Sequence, residues 1–369
     1  MAEKNALSTS DASQPTPADK PVEHDPEKTP ASEPASKPAA AAPIDLNGRV
    51  TTPLPYPLPH CQPEPQPTVA EEHAKKYDEL LATVSTWTTV PKTSGRNAET
   101  EPLTDADRLW LTRECLLRYL RATKWNVPEA ARRLLATLTW RREYGLLNFT
   151  PEYISPENET GKQMIVGFDN DARPCLYLNP SKQNTDVSDR QLHHLFYMME
   201  RVIDLMGPGQ ETTALLINFK ETSSRKNPGV MQGKQTLNIL QGHYPERLGR
   251  ALISELPWYV TTFFKLISPF IDPVTKTKMK FNEPLTDHVP TSHLVKHCGG
   301  KLDFEYDHSI YWPALNALCE ARRRDYTVRW EKAGKKIGES ESYLRGGEAK
   351  CLSGEYAGTD FPEGFAQTK

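Results

Sequence analysis

Thr275 and Lys278 lie three positions apart at the end of the most apolar stretch of this chain, residues 255–278. A hydroxyl and an ammonium group at this spacing are close enough to share one phosphate. A phosphate beside an apolar wall needs such donors, because an unpaired charge in a low-dielectric environment is costly. The pair is therefore a candidate anion site, although a lysine taken alone is usually a solvated surface residue.

A second grouping has the residue types of a metal site. His293 and His297 are spaced i, i+4 and Cys298 follows, so on a helix they would offer ligands for zinc or haem iron. Two histidines on one helical face are, however, more often surface or core residues. No G-x-S-x-G, H-E-x-x-H or P-loop motif is present, and residues 207–212 (GPGQET) lack the third glycine of a dinucleotide turn. We therefore expect no enzymatic activity, no metal and no cofactor.

The composition restricts the class of protein further. A net charge of −3 without a long basic stripe argues against a nucleic-acid binder. The six cysteines show no C-x-x-C spacing, which favours reduced thiols. The start of the chain carries acids and no apolar core, so neither a secretory signal nor a transit peptide is expected, and the predicted location is cytoplasmic.

Nearly half of the 32 prolines fall within residues 1–70, which contain almost nothing to bury. We interpret residues 1–70 as a disordered tail. Its segment 53–67 (PLPYPLPHCQPEPQP) favours a polyproline conformation that would suit either an SH3-like partner or a stiff spacer.

The elements that must position the candidate residues follow from periodicity and capping signals. Thr104 with Asp107 forms a capping-box pattern, and Asn126 with Glu129 marks another helix start. The predicted helices of the first half cover residues 71–87, 104–125 and 126–145. After residue 150 strands and helices alternate, which is the signature of a mostly parallel sheet. The predicted elements are strands at 163–168 and 174–179, a helix after Ser188, a strand at 213–219, a helix at 229–244 and a strand at 250–256.

The apolar stretch is too interrupted to cross a membrane, which takes about 20 consecutive apolar residues. The interrupting residues are Glu255, Pro257, Lys265 and Pro269. A buried core helix is the usual interpretation of such a run. Aromatic residues nevertheless occupy nearly the whole circumference of this helix, which suits a helix that covers a lipid chain or a bilayer surface.

Three segments in one collinear order carry a family resemblance: residues 115–145, 241–279 and 299–304. They resemble the Sec14-like lipid-transfer proteins of the CRAL-TRIO fold, and HYPERLG followed by PFIDPVTKTK is specific. Residues 308–330 resemble the C-terminal helix of the fungal branch that transfers phosphatidylinositol. The resemblance implies an α/β fold with an N-terminal helical lobe and a mostly parallel sheet that floors an apolar lipid cavity. A gate helix, residues 257–270, would close that cavity.

The resemblance also implies a division of the chain and roles for particular residues. The expected parts are the tail at 1–70, the helical lobe at 71–148, the lipid-binding domain at 149–306 and a C-terminal helical extension with its tail at 307–369. The gate helix would contribute Trp258, Phe263, Phe264 and Phe270, and the cavity wall would contain Ile165, Leu176, Leu215 and Phe219.

The headgroup residues come from the same resemblance. Lys278 and Thr275 match phosphoinositide-contacting positions, and Glu246 matches the acid that accepts hydrogen bonds from inositol hydroxyls. An ion pair with Arg247 or Arg250 is the alternative for Glu246. The basic contact that the family has in its helical lobe falls on Thr123 here, so this contact is lost or passes to Lys124 or Arg121.

Family members that also carry phosphatidylcholine receive its headgroup with two tyrosines and a Ser/Thr pair. The corresponding residues here are Ile165, Leu176, Thr213 and Leu215, of which three are aliphatic. A choline cation gains from aromatic faces, so we expect phosphatidylcholine binding to be lost. A sterol or another flat hydrophobe would fit the widened apolar floor as a second ligand.

The predicted function is binding of phosphatidylinositol and its exchange between membranes by a monomer that contacts membranes or lipid droplets transiently. Two alternatives stay open at this stage. One is a haem or sterol carrier on the same fold, and the other is a lipid-loaded scaffold that presents phosphatidylinositol to a lipid kinase.

Overall fold

The computed structural model describes residues 48–222 and 230–360 of the 369-residue chain. The helices in this part are α1 (Glu71–Ser85), α2 (Asp105–Trp110), α3 (Arg113–Ala122), α4 (Val127–Glu143), α5 (Pro151–Asn158), α6 (Asp189–Leu205), α7 (Val230–His243), α8 (Trp258–Ile267), α9 (Pro273–Thr277), α10 (His308–Lys332) and α11 (Glu341–Leu344). The strands are β1 (Thr89–Pro91), β2 (Thr100–Pro102), β3 (Gln163–Phe168), β4 (Pro174–Leu178), β5 (Thr213–Asn218), β6 (Leu248–Ser254) and β7 (Met279–Phe281).

The helical lobe forms because apolar side chains of α1, α3 and α4 meet around one core. Leu80, Leu116 and Leu134 are fully buried there. The predicted capping box is present at the start of α2, where Thr104 and Asp107 exchange side-chain and backbone hydrogen bonds. The lobe therefore has its own core. The short hairpin of β1 and β2 adds one buried side chain of β1 to it.

The single helix predicted over residues 104–125 is wrong, because the chain breaks between α2 and α3. The Thr112 hydroxyl accepts a hydrogen bond from the Cys115 amide at 3.1 Å and donates one to Glu341 at 2.8 Å. A threonine side chain that caps a new helix in this way replaces the backbone hydrogen bonds that would have continued the preceding helix. Its partner Glu341 lies 229 residues away in sequence, so spacing alone does not reveal the break.

One five-stranded sheet with the order β3-β4-β5-β6-β7 forms the second layer. β3 and β4 make the predicted antiparallel hairpin, and the other neighbouring pairs are parallel. α6 lies against β3 and β4 and buries Phe196 and Val202 in the main core. The predicted α/β fold with a helical lobe and a mostly parallel sheet is confirmed.

The long helix α10 closes the free edge of this sheet. It packs on α5 and α6, and its buried Tyr311 places its hydroxyl against the backbone of Ile165 in the edge strand β3. That hydroxyl accepts a hydrogen bond from the Ile165 amide at 2.6 Å and donates one to the Ile165 carbonyl at 3.2 Å. Both backbone groups that β4 leaves unpaired at this residue are therefore satisfied.

The predicted disordered tail does not hold for its last part. Val50 pairs with residues 303–305 as an added bridge beside the core. Leu54 and Cys61 are only 3% and 2% exposed, and the guanidinium of Arg322 lies 5.1 Å above the Tyr56 ring. Scattered apolar residues order a proline-rich segment when the folded body offers a surface for each of them. Residues 1–47 of the predicted tail lie outside the described residues.

Candidate functional site

The gate helix consists of α8 and the turn that follows it to Phe270. Pro257 immediately precedes α8, where a proline fits because the first turn needs no amide donor. Val260 and Ile267 point inwards and are buried, whereas Trp258 and Leu266 are 79% and 55% exposed. Within residues 48–222 and 230–360, no helix combines the length and apolar character needed to cross a bilayer. This helix thus has apolar residues on both its inner and its outer side.

The gate helix closes against α7 through three contacts. The Phe263 ring lies on Gly233, where an added Cβ would come within 2.6 Å of its Cζ. The Lys234 ammonium lies 4.6 Å from the centroid of the Phe270 ring, and the Gln241 side-chain amide donates a hydrogen bond to the Phe270 carbonyl at 2.9 Å. The middle and the C-terminal end of the gate helix are therefore fixed to α7.

The gate helix also reaches the sheet. Phe264 packs edge-on against Phe281 at the end of β7, with ring centroids 5.6 Å apart, and against Phe219 after β5 at 6.4 Å. Phe281 and Met279 point to the same face of β7, because side chains two apart along a strand share a face. The gate helix therefore covers the sheet face that carries Met279.

That face carries three of the four predicted wall residues in one row, and the fourth, Phe219, follows β5. Ile165, Leu176 and Leu215 are direct partners across β3, β4 and β5, and the row continues through Ala251 to Met279. The row contains no polar side chain. Ile165 and Leu176 are sealed in the core, whereas Leu215 and Met279 stay half-buried. The row is thus apolar throughout and incompletely covered by protein towards β7.

Lys278 lies at the start of β7, where α9 ends. Its ammonium donates a hydrogen bond to the Leu248 carbonyl at 2.7 Å, and its own carbonyl accepts one from the Ala251 amide. The backbone of β7 is therefore registered against β6, and the ammonium reaches the first residue of β6. Glu246 lies two residues before Leu248, so the fold brings both predicted headgroup residues to one corner.

Thr275 is held by a residue that the sequence analysis did not select. Asp272 caps α9, accepts a hydrogen bond from the Thr275 amide at 2.9 Å and a short one from the Thr275 hydroxyl. Burial opposes ionisation of Asp272, but these hydrogen bonds and nearby Lys278 hold the pKa of its carboxyl below the ordinary value. The Thr275 proton is therefore engaged, and its oxygen keeps only acceptor capacity. The signal in the sequence was the DPVT cap pattern.

Glu246 has a left-handed backbone with φ of +59°, which is uncommon for a residue other than glycine. Glu246 does not form the alternative ion pair with Arg247 or Arg250. Arg250 pairs with Asp171 at 3.2 Å instead, and Arg247 faces Glu341. Among the described residues the Glu246 carboxylate has no hydrogen bond or ion pair. The turn between α7 and β6 thus presents an acid that no described neighbour neutralises.

The candidate phosphate-contacting residues at the end of α3 differ in whether a hydrogen bond or an ion pair already occupies them. Thr123 donates its hydroxyl proton to the Tyr119 carbonyl at 2.8 Å, and Arg121 pairs with Glu211 at 3.3 Å. Lys124 is exposed, has φ of +52°, and makes no ion pair within the part of the chain that the structure describes. Arg133, which the sequence analysis did not select, donates to the Gln241 carbonyl at 2.7 Å.

Comparisons with known proteins show the family to which this chain belongs. The model of the CRAL/TRIO domain matches residues 158–300, and that of the CRAL/TRIO N-terminal domain matches residues 76–136. The phosphatidylinositol transfer protein PDR17 of Saccharomyces cerevisiae is 41% identical over 268 residues, which cover 69% of this chain and 76% of that protein. The chain belongs to the CRAL/TRIO family. The predicted resemblance to its Sec14-like fungal branch is confirmed.

Two further relatives show how far the likeness extends. A CRAL-TRIO domain-containing protein of Schizosaccharomyces pombe is 51% identical over 308 residues, which cover 83% of this chain but only 30% of that protein. The SEC14 cytosolic factor of Candida glabrata is 26% identical over 214 residues, or 52% of this chain and 71% of that one. Members of this CRAL/TRIO lipid-transfer family are carriers of lipid ligands, not enzymes, and they need no cofactor.

The helical lobe of this CRAL/TRIO protein contacts the C-terminal end of α7. The His243 ring stacks on Trp140 with centroids 4.3 Å apart, and its Nδ1 lies 3.0 Å from the Thr137 hydroxyl. The Tyr119 hydroxyl reaches the His243 carbonyl at 3.2 Å. Burial, together with Arg133, lowers the pKa of His243 to about 4. α7 is therefore anchored at its C-terminal end and carries the gate helix along its length.

The predicted histidine pair does not form a ligand face. Residues 293–297 are not one helix, because His293 lies in a turn and His297 in a separate short 3-10 helix, Lys296–Cys298. The His293 Nδ1 accepts a hydrogen bond from the Phe168 amide at 3.2 Å, and burial lowers its pKa to about 4. The described residues contain no cluster of three or more His, Cys, Asp or Glu that could hold a metal.

Proposed function

We propose that this protein binds one phosphatidylinositol molecule under the gate helix and exchanges it between membranes. The observation that carries the proposal is the apolar row from Ile165 to Met279, which the gate helix covers only in part. The 41% identity to a protein named a phosphatidylinositol transfer protein supports the same ligand.

The apolar row supplies what acyl chains need. Each methylene removed from water is worth about 0.8 kcal/mol, so a lipid leaves a bilayer as a monomer only if its chains enter another apolar phase. Leu215 and Phe219 are half-buried beside the gate helix, and they would contact the chains once the helix moves outwards. Ile165 and Leu176 would form the closed end of the floor.

The corner formed by Glu246 and Lys278 supplies what the headgroup needs. An inositol ring offers hydroxyl donors to a carboxylate, and its phosphodiester requires a cation. The Lys278 ammonium now donates a hydrogen bond to a neutral carbonyl at 2.7 Å. A phosphate oxygen in place of that carbonyl would form a stronger bond, because both partners would be charged. Lys124 and the acceptor oxygen of Thr275 complete the set that we assign to the headgroup.

The same floor argues against phosphatidylcholine. The Thr213 hydroxyl, the one polar group left of the four positions, donates to the Pro174 carbonyl at 2.9 Å and is buried. It has therefore no proton to offer a phosphate. The apolar floor suits a sterol as the second ligand. The lipid-kinase scaffold and the monomeric state stay predictions, as does an SH3-like partner, which would have to displace segment 53–67 from the body.

The outer side of the gate helix suits transient contact with a membrane or lipid droplet. Trp258, Leu266 and Phe270 are 79%, 55% and 46% exposed, a density that is unusual for a monomer surface. Exposed Lys265 lies among them. We therefore propose that the protein binds membranes peripherally while it exchanges lipid, and the cytoplasmic location stays a prediction.

The test is transfer of radiolabelled phosphatidylinositol between vesicles. Lys278→Ala should lower the transfer rate at least tenfold, because a buried phosphate left without its cation loses a charge-assisted bond worth about 1.5–3 kcal/mol. Lys276→Ala is the matched control, since Lys276 is exposed two residues away, and it should transfer normally. Equal rates for the two variants, with both folded by circular dichroism, would remove the headgroup assignment.

A further inference from the structure

A cavity of about 320 Å³ lies outside the proposed lipid site, between α2, α6, α10 and α11. We call it the arginine cavity because seven arginines, three carboxylates and no lysine line it. The arginines are Arg141, Arg201, Arg247, Arg322, Arg323, Arg329 and Arg345. The chain as a whole carries a net charge of −3, so this local excess is not a consequence of a basic composition.

Two of the carboxylates are already engaged by arginines. Glu200 makes a two-pronged pair with Arg141 at 3.0 and 3.2 Å. Asp204 is shared by Arg201 at 3.0 Å and Arg323 at 3.4 Å. Neither acid therefore offers a full counter-charge to another guanidinium.

The third carboxylate serves three arginines at once. Glu341 lies 2.8 Å from Arg118, but its distances to Arg345 and Arg247 are 3.6 and 3.8 Å, beyond the length of a hydrogen bond. Arg118 also pairs with Glu211 at 2.7 Å. Arg247 and Arg345 thus share one acid with Arg118 and lie beyond hydrogen-bond distance of it.

These two arginines are buried and each has one arm occupied by the backbone. Arg247 donates from Nη1 to the Glu211 carbonyl at 3.0 Å, and Arg345 donates from Nη1 to the Met206 carbonyl at 2.8 Å. Both side chains are at least nine-tenths buried. Within residues 48–222 and 230–360, neither Nη2 donates a hydrogen bond. Burial and the neighbouring Arg118 lower the pKa of Arg247, the direction expected for a cation short of negative charge.

The remaining wall is apolar and aromatic. Leu109, Trp110, Met206 and Leu344 line the cavity together with Tyr326. The Arg345 guanidinium lies 5.4 Å from the centroid of the Tyr326 ring, which holds its plane in place. A ligand in this space would meet cations on one side and apolar surface on the other.

We propose that the arginine cavity binds a small organic phosphate, with Arg247 and Arg345 on the phosphate group and the apolar wall on its organic part. Arginine forks match phosphate oxygens in pairs, and a buried guanidinium whose Nη2 makes no hydrogen bond gains more from an anion than from water. A volume of about 320 Å³ is at the lower end for small-molecule sites. The inference is independent of the lipid proposed above.

The test is isothermal titration calorimetry of the full chain with adenosine 5′-monophosphate, glycerol 3-phosphate and lysophosphatidic acid below its micelle concentration. At least one phosphate should bind, whereas adenosine without phosphate should not. Binding of a soluble phosphate points to a metabolite, and binding of the lysolipid alone points to a lipid source for the same chemistry. Absence of binding by all three probes at millimolar concentration overturns the proposal.

Variants then locate the binding. Arg345→Lys keeps the charge but loses the fork, and Arg323→Gln removes a cation at the half-exposed rim; each should weaken binding at least tenfold. Arg324→Gln is the matched control, because Arg324 is exposed on the same helix and does not line the cavity. Should Arg345→Lys fail to fold, Arg323→Gln still decides. Unchanged affinity in the folded cavity variants places the ligand elsewhere and overturns the assignment.

Discussion

The ring of Phe263 lies directly on the backbone of Gly233, at a distance that leaves no room for a side chain there. This contact joins the gate helix to the first turn of α7, whose C-terminal end the helical lobe holds through Trp140 and Tyr119. A glycine in a helix interior costs about 1 kcal/mol relative to alanine. The close approach of Phe263 is a physical reason for a glycine at this position.

Gly233→Ala should therefore shift the gate helix outwards. The added methyl group favours the α7 helix itself but overpacks against Phe263, which costs about 1–3 kcal/mol in the closed position. We expect release of a bound fluorescent phosphatidylinositol to accelerate on the order of tenfold. Stopped-flow measurement of that release checks the prediction. Gly242→Ala is the control, because no atom lies within 4 Å of a Cβ added there; equal release rates in both variants would mean that the contact does not hold the gate.

Leu215→Thr should give the floor a hydroxyl where phosphatidylcholine needs one. Leu215 is half-buried in the row beneath the gate helix, so the variant exposes a donor to the lipid at small cost in packing. We expect phosphatidylcholine to appear among the lipids that co-purify with the variant, as measured by mass spectrometry. Leu216→Thr, one residue on, points to the opposite and fully buried face and should lower stability without any such gain. Similar lipid profiles for wild type and Leu215→Thr would contradict the assigned floor.

The stability of the protein should fall between pH 6.5 and pH 4 because of His243. Its pKa is lowered to about 4 in the folded chain, while an unfolded histidine titrates near 6.5. Over this range the unfolded state binds more protons, so the contribution of His243 is complete above pH 6.5 and is lost as the pH falls towards 4. Urea denaturation at pH 7 and pH 5 measures the loss.

His243→Gln should remove part of that pH dependence, because glutamine does not titrate between Trp140 and Thr137. His60→Gln, at an exposed position, should leave the dependence as in wild type. An unchanged difference between pH 7 and pH 5 in His243→Gln would show that other groups produce it.

Local signals predicted most of the elements but few of the contacts of the site. The strand at 163–168 agrees with the structure because its pattern is local. The row of Ile165, Leu176 and Leu215 depends instead on hydrogen-bond register between three strands. The resemblance to the family assigned these residues to one wall, and only the paired backbone establishes that they are neighbours.

The histidine pair and the proline-rich tail show where pattern reasoning fails. A spacing of four residues makes His293 and His297 neighbours only on one helix, but His293 lies in a turn and His297 in a separate short 3-10 helix. Segment 53–67 has a composition typical of disorder, yet Leu54 and Cys61 are buried. Composition describes what a segment can bury against itself, not what the rest of the chain offers it.

The sequence alone determined the order of helices and strands, the apolar character of the gate helix and the family motifs, because each depends on residues close together in the chain. Only the tertiary structure decided which charges remain for a ligand. Arg121 pairs with Glu211 and Lys278 donates to a carbonyl of β6, whereas Arg247 shares the distant acid Glu341 with Arg118. Electrostatic pairing depends on distance in space, and residues that meet here are separated by tens to hundreds of positions along the chain.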